Sequence, residues 1–289
     1  MNIVVYLLFS VLASVAFLFV SCTEKPDTGE NAGGDAVIPE LPADPQPGST
    51  DFSHRILLLQ HTGTACPNCP QLMASLKTLA EDDSYTAKYQ HVAAHSYNQS
   101  DPAYSKAAEN LSQAFCSGYY PELTFNLTKE STGTSLAVDV IKSHIDDLHK
   151  DAADAGIAAS VLQTGSNLGV NVQIKAAREN KYRIAVWVLE DGIRARQDGA
   201  FEDWMNTHSN AVRVMAGSTL NLRIYGENVD VLKKGQTASK SFVIALEDGW
   251  NVEKCKVMVL VNAATDDGRY NLANCTICPI GESVSYGYN

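Results

Sequence analysis

The sequence predicts an α/β domain followed by an all-β antiparallel sandwich. In the first half, short apolar runs alternate with segments whose apolar residues recur every three or four positions, as in alternating strands and helices. In the second half, apolar residues alternate along runs that Gly- and Asp-containing turns separate. Two cysteines, Cys66 and Cys69, lie where an early strand gives way to a helix. The predicted segments are a lipoprotein signal peptide (1–21), an acidic Pro-rich tether (22–51), the α/β domain (52–153) and the β-sandwich (154–289).

The size and charge of the chain narrow the classes of function. With 289 residues, 45% of them hydrophobic, the chain has room for two domains with apolar cores. Its net charge of −11 argues against a nucleic-acid partner, because nucleic acids select basic surfaces. We expect neither nucleic acid nor a cofactor to bind.

The N-terminus resembles a bacterial lipoprotein processing site. An apolar run from Val4 to Val20 ends at Ser21 and Cys22, and a small residue directly before such a Cys predicts that Cys22 is lipidated. Several acyl chains on Cys22 would anchor the protein stably to a membrane. No Lys or Arg lies between Met1 and Ser21, so a cleaved signal with a free Cys22 and a single membrane anchor are the alternatives.

The first domain begins with a strand–helix–strand pattern. The predicted elements are a strand at Ile56–Gln60, a helix with Leu72, Leu76 and Leu79 on its inner face, a strand at Tyr89–His95, a helix that starts at Asp101-Pro102, a strand at Leu123–Leu127, and a helix carrying Ile141, Ile145 and Leu148. Because a helix connects the first two strands, we expect those strands to pair in parallel.

The pair Cys66 and Cys69 carries the candidate chemistry. Two thiols separated by two residues at a strand–helix junction are typical of the redox site of thioredoxin-like folds. The first thiol would lie over the unpaired amides of the helix N-terminus, where its thiolate is favoured. The second would lie one turn away and could resolve a mixed disulfide. We therefore predict that Cys66 attacks and Cys69 resolves.

Pro121 is the predicted substrate-positioning residue. It stands between a helix and a strand, where thioredoxin-like folds place a cis-proline beside the dithiol. Its loop could hold an extended substrate peptide by strand-like hydrogen bonds. We predict a cis Tyr120–Pro121 bond; an ordinary trans proline at a strand start is the alternative. Tyr120 would narrow the substrate groove.

Two histidines end neighbouring predicted strands and are possible auxiliary groups. His61 or His95 could stabilise a thiolate or relay a proton at the dithiol. Together with Cys66 and Cys69 they could instead form a Cys2His2 zinc set. A loop or hydrogen-bonded core histidine is the more ordinary interpretation of each. Cys116 is interpreted as a buried, inert thiol.

The second half is predicted to contain seven or eight strands, with one structural disulfide. The predicted strands include Val170–Ala176, Tyr182–Leu189, Leu220–Ile224, Phe242–Leu246 and Val257–Val261. A hairpin that turns near Asp267 would place Cys255 opposite Cys278, so we predict a disulfide between them, with Cys275 as the alternative partner. The pair Cys275 and Cys278 lies on a predicted strand and is interpreted as structural.

The sequence resembles the Bacteroidetes lipoprotein family related to the 28-kilodalton outer membrane protein. The segments that carry the resemblance are the signal ending in Cys22, the motif His61–Pro70, the strand ending in His95, and the segments Ala185–Gly192, Trp204–Arg213 and Trp250–Val252. The resemblance implies a thioredoxin-like domain followed by a β-sandwich, anchored by lipid at the outer membrane. It does not imply a particular activity.

Three functions are consistent with the sequence. The first is a thiol–disulfide oxidoreductase of the cell envelope that acts on protein thiols or disulfides. The second is a noncatalytic surface binding or adhesion module in which Cys66–Cys69 is a structural disulfide. The third is a zinc-holding domain. In each case the expected membrane contact is the lipid on Cys22.

Overall fold

The computed structural model describes residues 36–289 of the protein. The predicted signal peptide, the lipidation of Cys22 and the first part of the tether lie outside the described residues. Within the described part, every helix is too short or too polar to cross a bilayer. The elements there are β1 (Ile56–Thr62), α1 (Cys69–Ala80), α2 (Asp83–Thr86), β2 (Tyr89–His95), α3 (Lys106–Phe115), β3 (Glu122–Phe125), α4 (Val138–Leu148), β4 (Ala155–Thr164), β5 (Asn167–Ala176), β6 (Asn180–Glu190), β7 (Ile193–Arg194), β8 (Thr207–His208), β9 (Ala211–Met215), α5 (Leu220–Tyr225), β10 (Glu227–Leu232), β11 (Thr237–Ala245), β12 (Cys255–Ala264), β13 (Tyr270–Pro279) and β14 (Ser283–Val284).

The larger of the two main sheets is mixed, in the order β13-β12-β6-β9-β2-β1-β3, and β10 also pairs with β6. Strand β1 runs parallel to β2 and antiparallel to β3, which confirms the predicted parallel pairing. Side chains alternate across β1: Leu57 and Leu59 pack toward α3, whereas Ile56 and Leu58 pack toward α1 and α4. Helices therefore cover both faces of this part of the sheet.

The second half of the chain is rich in antiparallel strands that share one core. A four-stranded sheet, in the order β11-β5-β4-β14, lies against the β6, β12 and β13 end of the larger sheet. Alternate residues of facing strands fill the space between them, with Val170 and Val172 of β5 in the same core as Val257 and Val259 of β12. This arrangement agrees with the β-rich second half that the turn-separated pattern predicted.

Strands from both sides of residue 153, the predicted boundary between the two domains, belong to the same larger sheet. Strand β9 pairs in parallel with β2 at Ala93 and Ala211, and the Ala93 N–H donates to the Asn210 carbonyl at 2.8 Å. Leu59 of β1 also shares a core with Trp187 of β6 and Met258 of β12. The strands of the two halves therefore pack together as parts of one sheet.

The described end of the predicted acidic Pro-rich tether packs on the protein and makes specific hydrogen bonds to it. The Asn171 side chain donates to the Pro39 carbonyl at 2.9 Å. Lys175, which is 3% exposed, forms an ion pair with Asp44 at 3.0 Å and donates to the Pro47 carbonyl at 2.7 Å. Extended Pro-rich backbone leaves its carbonyls free to accept such bonds from a neighbouring strand.

The segment from Leu220 to Ile224 is a helix, and the predicted strand there is wrong. The hydroxyl of Thr219 accepts the Leu222 N–H at 3.3 Å and caps helix α5. Over only five residues, an alternating apolar pattern fits a strand and also fits a turn and a half of helix. The hydrogen bond from Leu222 N–H to the Thr219 hydroxyl favours the helix.

The predicted Cys255–Cys278 disulfide is wrong. Strands β12 and β13 pair so that Val257 faces Cys278 and Leu260 faces Cys275. The turn lies slightly later in the chain than expected, which moves Cys255 two residues past Cys278 in the ladder. Within residues 36–289 the free thiols are Cys116, Cys255, Cys275 and Cys278.

We expect alkylation of the unfolded, unreduced protein to modify Cys116, Cys255, Cys275 and Cys278 and to leave Cys66 and Cys69 unmodified. The physical reason is the strand register. It places Val257 opposite Cys278 and Leu260 opposite Cys275, so Cys255, Cys275 and Cys278 do not face one another. Peptide mass spectrometry after alkylation in denaturant measures this outcome. Recovery of a peptide in which Cys255 is linked to Cys278 would contradict the observed register.

Candidate functional site

The two sulfurs of the candidate redox motif are joined as a disulfide at the start of α1. Cys69 is the first residue of α1, Pro70 lies in its first turn, and the Cα atoms of Cys66 and Cys69 are 5.4 Å apart. The Cys66 N–H donates to the Gly63 carbonyl at 3.1 Å, which closes a turn directly after β1. The predicted strand–helix junction at the motif is therefore confirmed.

Pro121 lies beside this junction because of the pairing between β1 and β3. The Tyr120–Pro121 bond is cis, as predicted. His61 pairs with Glu122, so Pro121 comes directly before the paired residues of β3, next to the end of β1. The Tyr120 hydroxyl lies 3.1 Å from the Ser96 hydroxyl. The substrate-positioning roles of Pro121 and Tyr120 stay a prediction.

Both sulfurs are closed off from solvent. Cys66 is 1% exposed and Cys69 is 0% exposed. Residues 195–200, which follow β7 and are here called the covering segment, pass over the loop that carries Cys66. The Asp198 N–H donates to the Thr64 carbonyl at 2.7 Å. The sequence predicted neither this burial nor a cover that comes from the second half of the chain.

Gln197 and Gly199 hold the covering segment in place. The Gln197 side-chain amide donates to the Cys66 carbonyl at 2.9 Å and to the Gly63 carbonyl at 3.3 Å. Gly199 has a φ of +73°, and a Cβ atom there would overlap the Pro67 carbonyl. The segment can approach the motif this closely because residue 199 has no side chain.

Asp101 braces the same loop from the other side. Its carboxylate accepts the Thr64 N–H at 2.7 Å, the Ala103 N–H at 2.8 Å and a bond from His95 Nδ1 at 2.9 Å. Burial opposes ionisation, but the bonds from His95 and the two amides outweigh it and lower the pKa of Asp101 to about 2. His95 is thereby tied to the Cys66 loop through Asp101.

The predicted helix start at Asp101-Pro102 is wrong. Helix α3 begins at Lys106, and the Ser105 hydroxyl caps it by accepting the Ala108 N–H at 3.0 Å. The chain turns at Asp101-Pro102 instead, where the Tyr104 N–H donates to the Asp101 carbonyl at 2.9 Å. The helix starts four residues later, so Asp101 is free to turn toward Thr64. No pattern in the sequence indicates that contact.

His61 is a hydrogen-bonded core residue. Its Nδ1 lies 2.9 Å from the Ser112 hydroxyl and its Nε2 lies 3.0 Å from the Thr124 hydroxyl. Burial lowers the pKa of His61 to about 4, although the nearby Glu122 opposes this. Both ring nitrogens are occupied, so the structure gives His61 no contact that would support a proton relay to the dithiol.

The four residues of the alternative zinc set do not converge on one point. Cys66 and Cys69 are bonded to each other, and His61 and His95 are hydrogen-bonded elsewhere. No group of three or more metal-ligating side chains converges anywhere among residues 36–289.

Cys116 is half-buried near the cis-proline loop. Burial raises the pKa of its thiol to about 11, so the thiolate that would attack a disulfide is scarce at neutral pH. This environment agrees with its interpretation as an inert thiol.

We expect stability to fall as the pH drops from 7.5 to 5. Burial lowers the pKa of His61, His91 and His208 to about 4, against 6.5 in the unfolded chain. The unfolded chain therefore takes up protons first, and stability that is full above pH 6.5 is lost between pH 6.5 and 4. The loss reaches at most about 2 kcal/mol per histidine at pH 5. Urea unfolding at both pH values measures it.

The substitution His61→Gln is the internal control for this pH dependence. Gln keeps hydrogen-bonding capacity for Ser112 and Thr124 but does not titrate, so we expect it to remove about a third of the loss. An unfolding free energy that is equal at pH 7.5 and pH 5 in the wild-type protein would contradict the burial argument.

Comparisons with known proteins place the chain in a family. The family described as outer membrane protein Omp28 matches residues 119–283, which are 165 of the 289 residues. The match begins after Cys66 and Cys69 and so does not include them. The comparison with curated proteins finds no match.

The fold also occurs among solved structures. HBP35 of Porphyromonas gingivalis is 14% identical, with a TM-score of 0.64 over 80% of this chain and 77% of that chain. The sporulation control protein Spo0M of Bacillus subtilis is 13% identical, but its TM-score is 0.28 over 47% of this chain and 50% of that chain, too low to support an argument. Because the Omp28 match covers more than half of the chain, the chain belongs to the Omp28 family of outer membrane proteins.

Proposed function

We propose that this protein is a thiol–disulfide exchange protein of the cell envelope, with a closed thioredoxin-like site. The observation that carries the proposal is the Cys66–Cys69 disulfide at the first residue of α1, beside the loop that leads through Pro121 into β3. The covering segment closes the site, and local opening of that segment admits a substrate. Lipid on Cys22 would hold the protein at the outer membrane, the location that the family suggests.

The position of the disulfide favours exchange over a purely structural role. A cross-link that closes a loop of four residues stabilises a fold by only about 2 kcal/mol in the chain-entropy account, the low end for disulfides. The start of a helix, in contrast, stabilises the thiolate that forms when the disulfide opens. A disulfide that joins the first residue of α1 to the loop before it therefore contributes more to chemistry than to stability.

The exchange starts from the oxidised protein. A substrate thiolate attacks the Cys66 sulfur, the Cys66–Cys69 bond breaks, and Cys69 leaves as a thiolate. A second substrate thiolate then attacks the substrate sulfur of this mixed disulfide and releases Cys66. The substrate loses two electrons and two protons and becomes a disulfide, while the protein gains both and becomes a dithiol. A disulfide such as oxidised glutathione restores the protein, and the same steps run in reverse when the substrate is a disulfide.

A turnover assay with a reduced dithiol peptide and oxidised glutathione tests the proposal. We expect the protein to speed disulfide formation in the peptide and the Cys66→Ser variant to lose this activity completely. The Cys69→Ser variant should accumulate a mixed disulfide between Cys66 and glutathione, because Cys69 is the thiol that displaces glutathione from Cys66 when the protein is reoxidised. Cys116→Ser, which removes a half-buried thiol, is the matched control and should keep full activity. Equal rates for the wild type and Cys66→Ser would contradict the proposal.

The burial of both sulfurs favours a second candidate function. With Cys66 at 1% and Cys69 at 0% exposure, the protein could be a noncatalytic binding module whose disulfide only fixes the Cys66 loop. In that case the disulfide should resist reduction by dithiols until the whole protein unfolds, and cell or ligand binding should be unchanged in Cys66→Ser. Reduction under native conditions would exclude this candidate.

A further inference from the structure

A small cavity lies where the residues before β1 meet β2, β13 and the C-terminal segment. Its volume is about 210 Å³, and none of its lining residues belongs to the covering segment or to the Cys66 loop. Arg55 is the one charged residue that lines this cavity within the described part of the chain. Gln90 of β2, Thr276 of β13 and Gly287 of the C-terminal segment line the same cavity.

Arg55 has a guanidinium without a partner. Among residues 36–289, every other arginine side chain has a hydrogen bond or an ion pair, but the half-buried Arg55 side chain has neither. Its Nη1 group lies 3.8 Å from the position that a Cβ atom on Gly287 would occupy, so it is at the wall of the cavity. A free guanidinium presents two parallel N–H groups, which is the geometry that a carboxylate accepts.

The backbone of Arg55 is fixed although its side chain is free. The Arg55 N–H donates to Asn274 Oδ1 at 3.1 Å, and Asn274 is 4% exposed. The Asn274 side-chain amide in turn donates to the Ser53 carbonyl at 3.0 Å and to the Ala155 carbonyl at 2.9 Å. Asn274 therefore joins the chain before β1 to β13 and β4, and it holds the base of the Arg55 side chain beside the cavity. Such fixing lowers the entropy cost of binding a ligand there.

Gln90 and Thr276 add uncharged polar groups to the cavity. The side chains of both residues are partly exposed and make no hydrogen bond to another part of the described chain. The Gln90 amide both donates and accepts, and so does the Thr276 hydroxyl. A hydroxyl group on a ligand, which also donates and accepts, matches these two side chains.

We propose that this cavity binds a small hydroxy acid with one carboxylate. Arg55 would bind the carboxylate, and Gln90 and Thr276 would bind the hydroxyl. No acidic side chain lines the cavity within the described residues, so the ammonium group of an amino acid would have no counter-charge, and a second carboxylate would have no cation. The volume of about 210 Å³ is below the range of about 300–1,000 Å³ that suits drug-sized ligands. The proposal is independent of the redox chemistry at Cys66 and Cys69.

Calorimetric titration of the purified protein with lactate and glycerate, at millimolar concentrations and constant ionic strength, tests this site. We expect saturable binding of at least one of the two hydroxy acids. Propanoate lacks the hydroxyl and alanine replaces it with an ammonium group, so both should bind at least about tenfold more weakly. Absence of saturable binding by both hydroxy acids, or equal binding of propanoate or alanine, would overturn the proposal.

Three variants localise the binding. Arg55→Gln should weaken it by about tenfold or more, because the carboxylate loses its cation. Gly287→Ala should weaken it several-fold, because the new methyl group reaches into the cavity, where its nearest neighbours lie at ordinary contact distances of 3.7–3.8 Å and folding is not at risk. Arg269→Gln removes a cation that is 82% exposed at the turn between β12 and β13, and it should change nothing. Unchanged affinity in both Arg55→Gln and Gly287→Ala would overturn the assignment to this cavity.

Discussion

Replacing Gly199 with alanine is expected to speed reduction of the Cys66–Cys69 disulfide by about thirtyfold. Gly199 has a φ of +73°, which costs an alanine about 1–2 kcal/mol, and the new Cβ would overlap the Pro67 carbonyl. A combined destabilisation of the closed covering segment by about 2 kcal/mol increases the open population about thirtyfold. The measurement is the rate of reduction by excess dithiothreitol in native buffer, followed by alkylation of the released thiols.

Gly192→Ala is the matched control for this experiment. Gly192 has a φ of +75°, almost the same as Gly199, but no atom lies within 4 Å of the Cβ that it would gain. Both substitutions therefore carry the same backbone cost, and only the one at Gly199 disturbs the cover. We expect Gly192→Ala to change the reduction rate less than about threefold. If the two variants are reduced at the same rate, the covering segment does not control access to the disulfide.

Replacing Asp101 with alanine is expected to lower the free energy of unfolding by about 3 kcal/mol. The substitution leaves the Thr64 and Ala103 amides and the Nδ1 group of His95 without their buried acceptor. Thr64 precedes Cys66 by two residues, so we also expect faster reduction of the disulfide. Urea unfolding at pH 7 measures the stability change, and the dithiothreitol assay measures the second effect.

The difference in unfolding free energy between the wild type and Asp101→Ala should depend on pH, and this dependence identifies its cause. Folding lowers the pKa of Asp101 from 3.8 to about 2, so its ionised form stabilises the protein above pH 4 and loses this effect as the pH falls toward 2. After solvent screening is taken into account, about 1–2 kcal/mol of this stabilisation depends on the ionisation of Asp101. The matched control is Asp147→Ala. Asp147 is an exposed aspartate that pairs with Lys150, so its loss should cost less than about 1 kcal/mol. Equal losses in both variants would contradict the bracing role of Asp101.

Local patterns predicted the elements around the dithiol well. The parallel β1–β2 pair and the start of α1 at the cysteine motif follow from residues close together in the sequence, whereas the cis bond before Pro121 was expected from the likeness to thioredoxin-like folds. Periodicity and turn residues are local signals. They indicated where the two sulfurs lie and that a helix begins there.

These local patterns did not predict contacts between residues that are far apart in the sequence. Gln197 covers Cys66 from a segment more than a hundred residues later, and Asp101 reaches Thr64 from a loop that resembled a helix start. The Cys255–Cys278 pairing failed because the position of one turn decides which residues of a hairpin face each other. A glycine such as Gly199 indicates a close approach only after its neighbour in space is known.

The reduction potential of the Cys66–Cys69 pair tests the central claim most directly, because it compares the two oxidation states of the site without any assumption about a substrate. Equilibration of the protein with glutathione or dithiothreitol buffers, followed by alkylation, gives the value. An exchange site should have a potential between about −270 and −120 mV, in the range of known thiol–disulfide exchange proteins. A potential below about −300 mV would mean a structural bond and would contradict the proposed function.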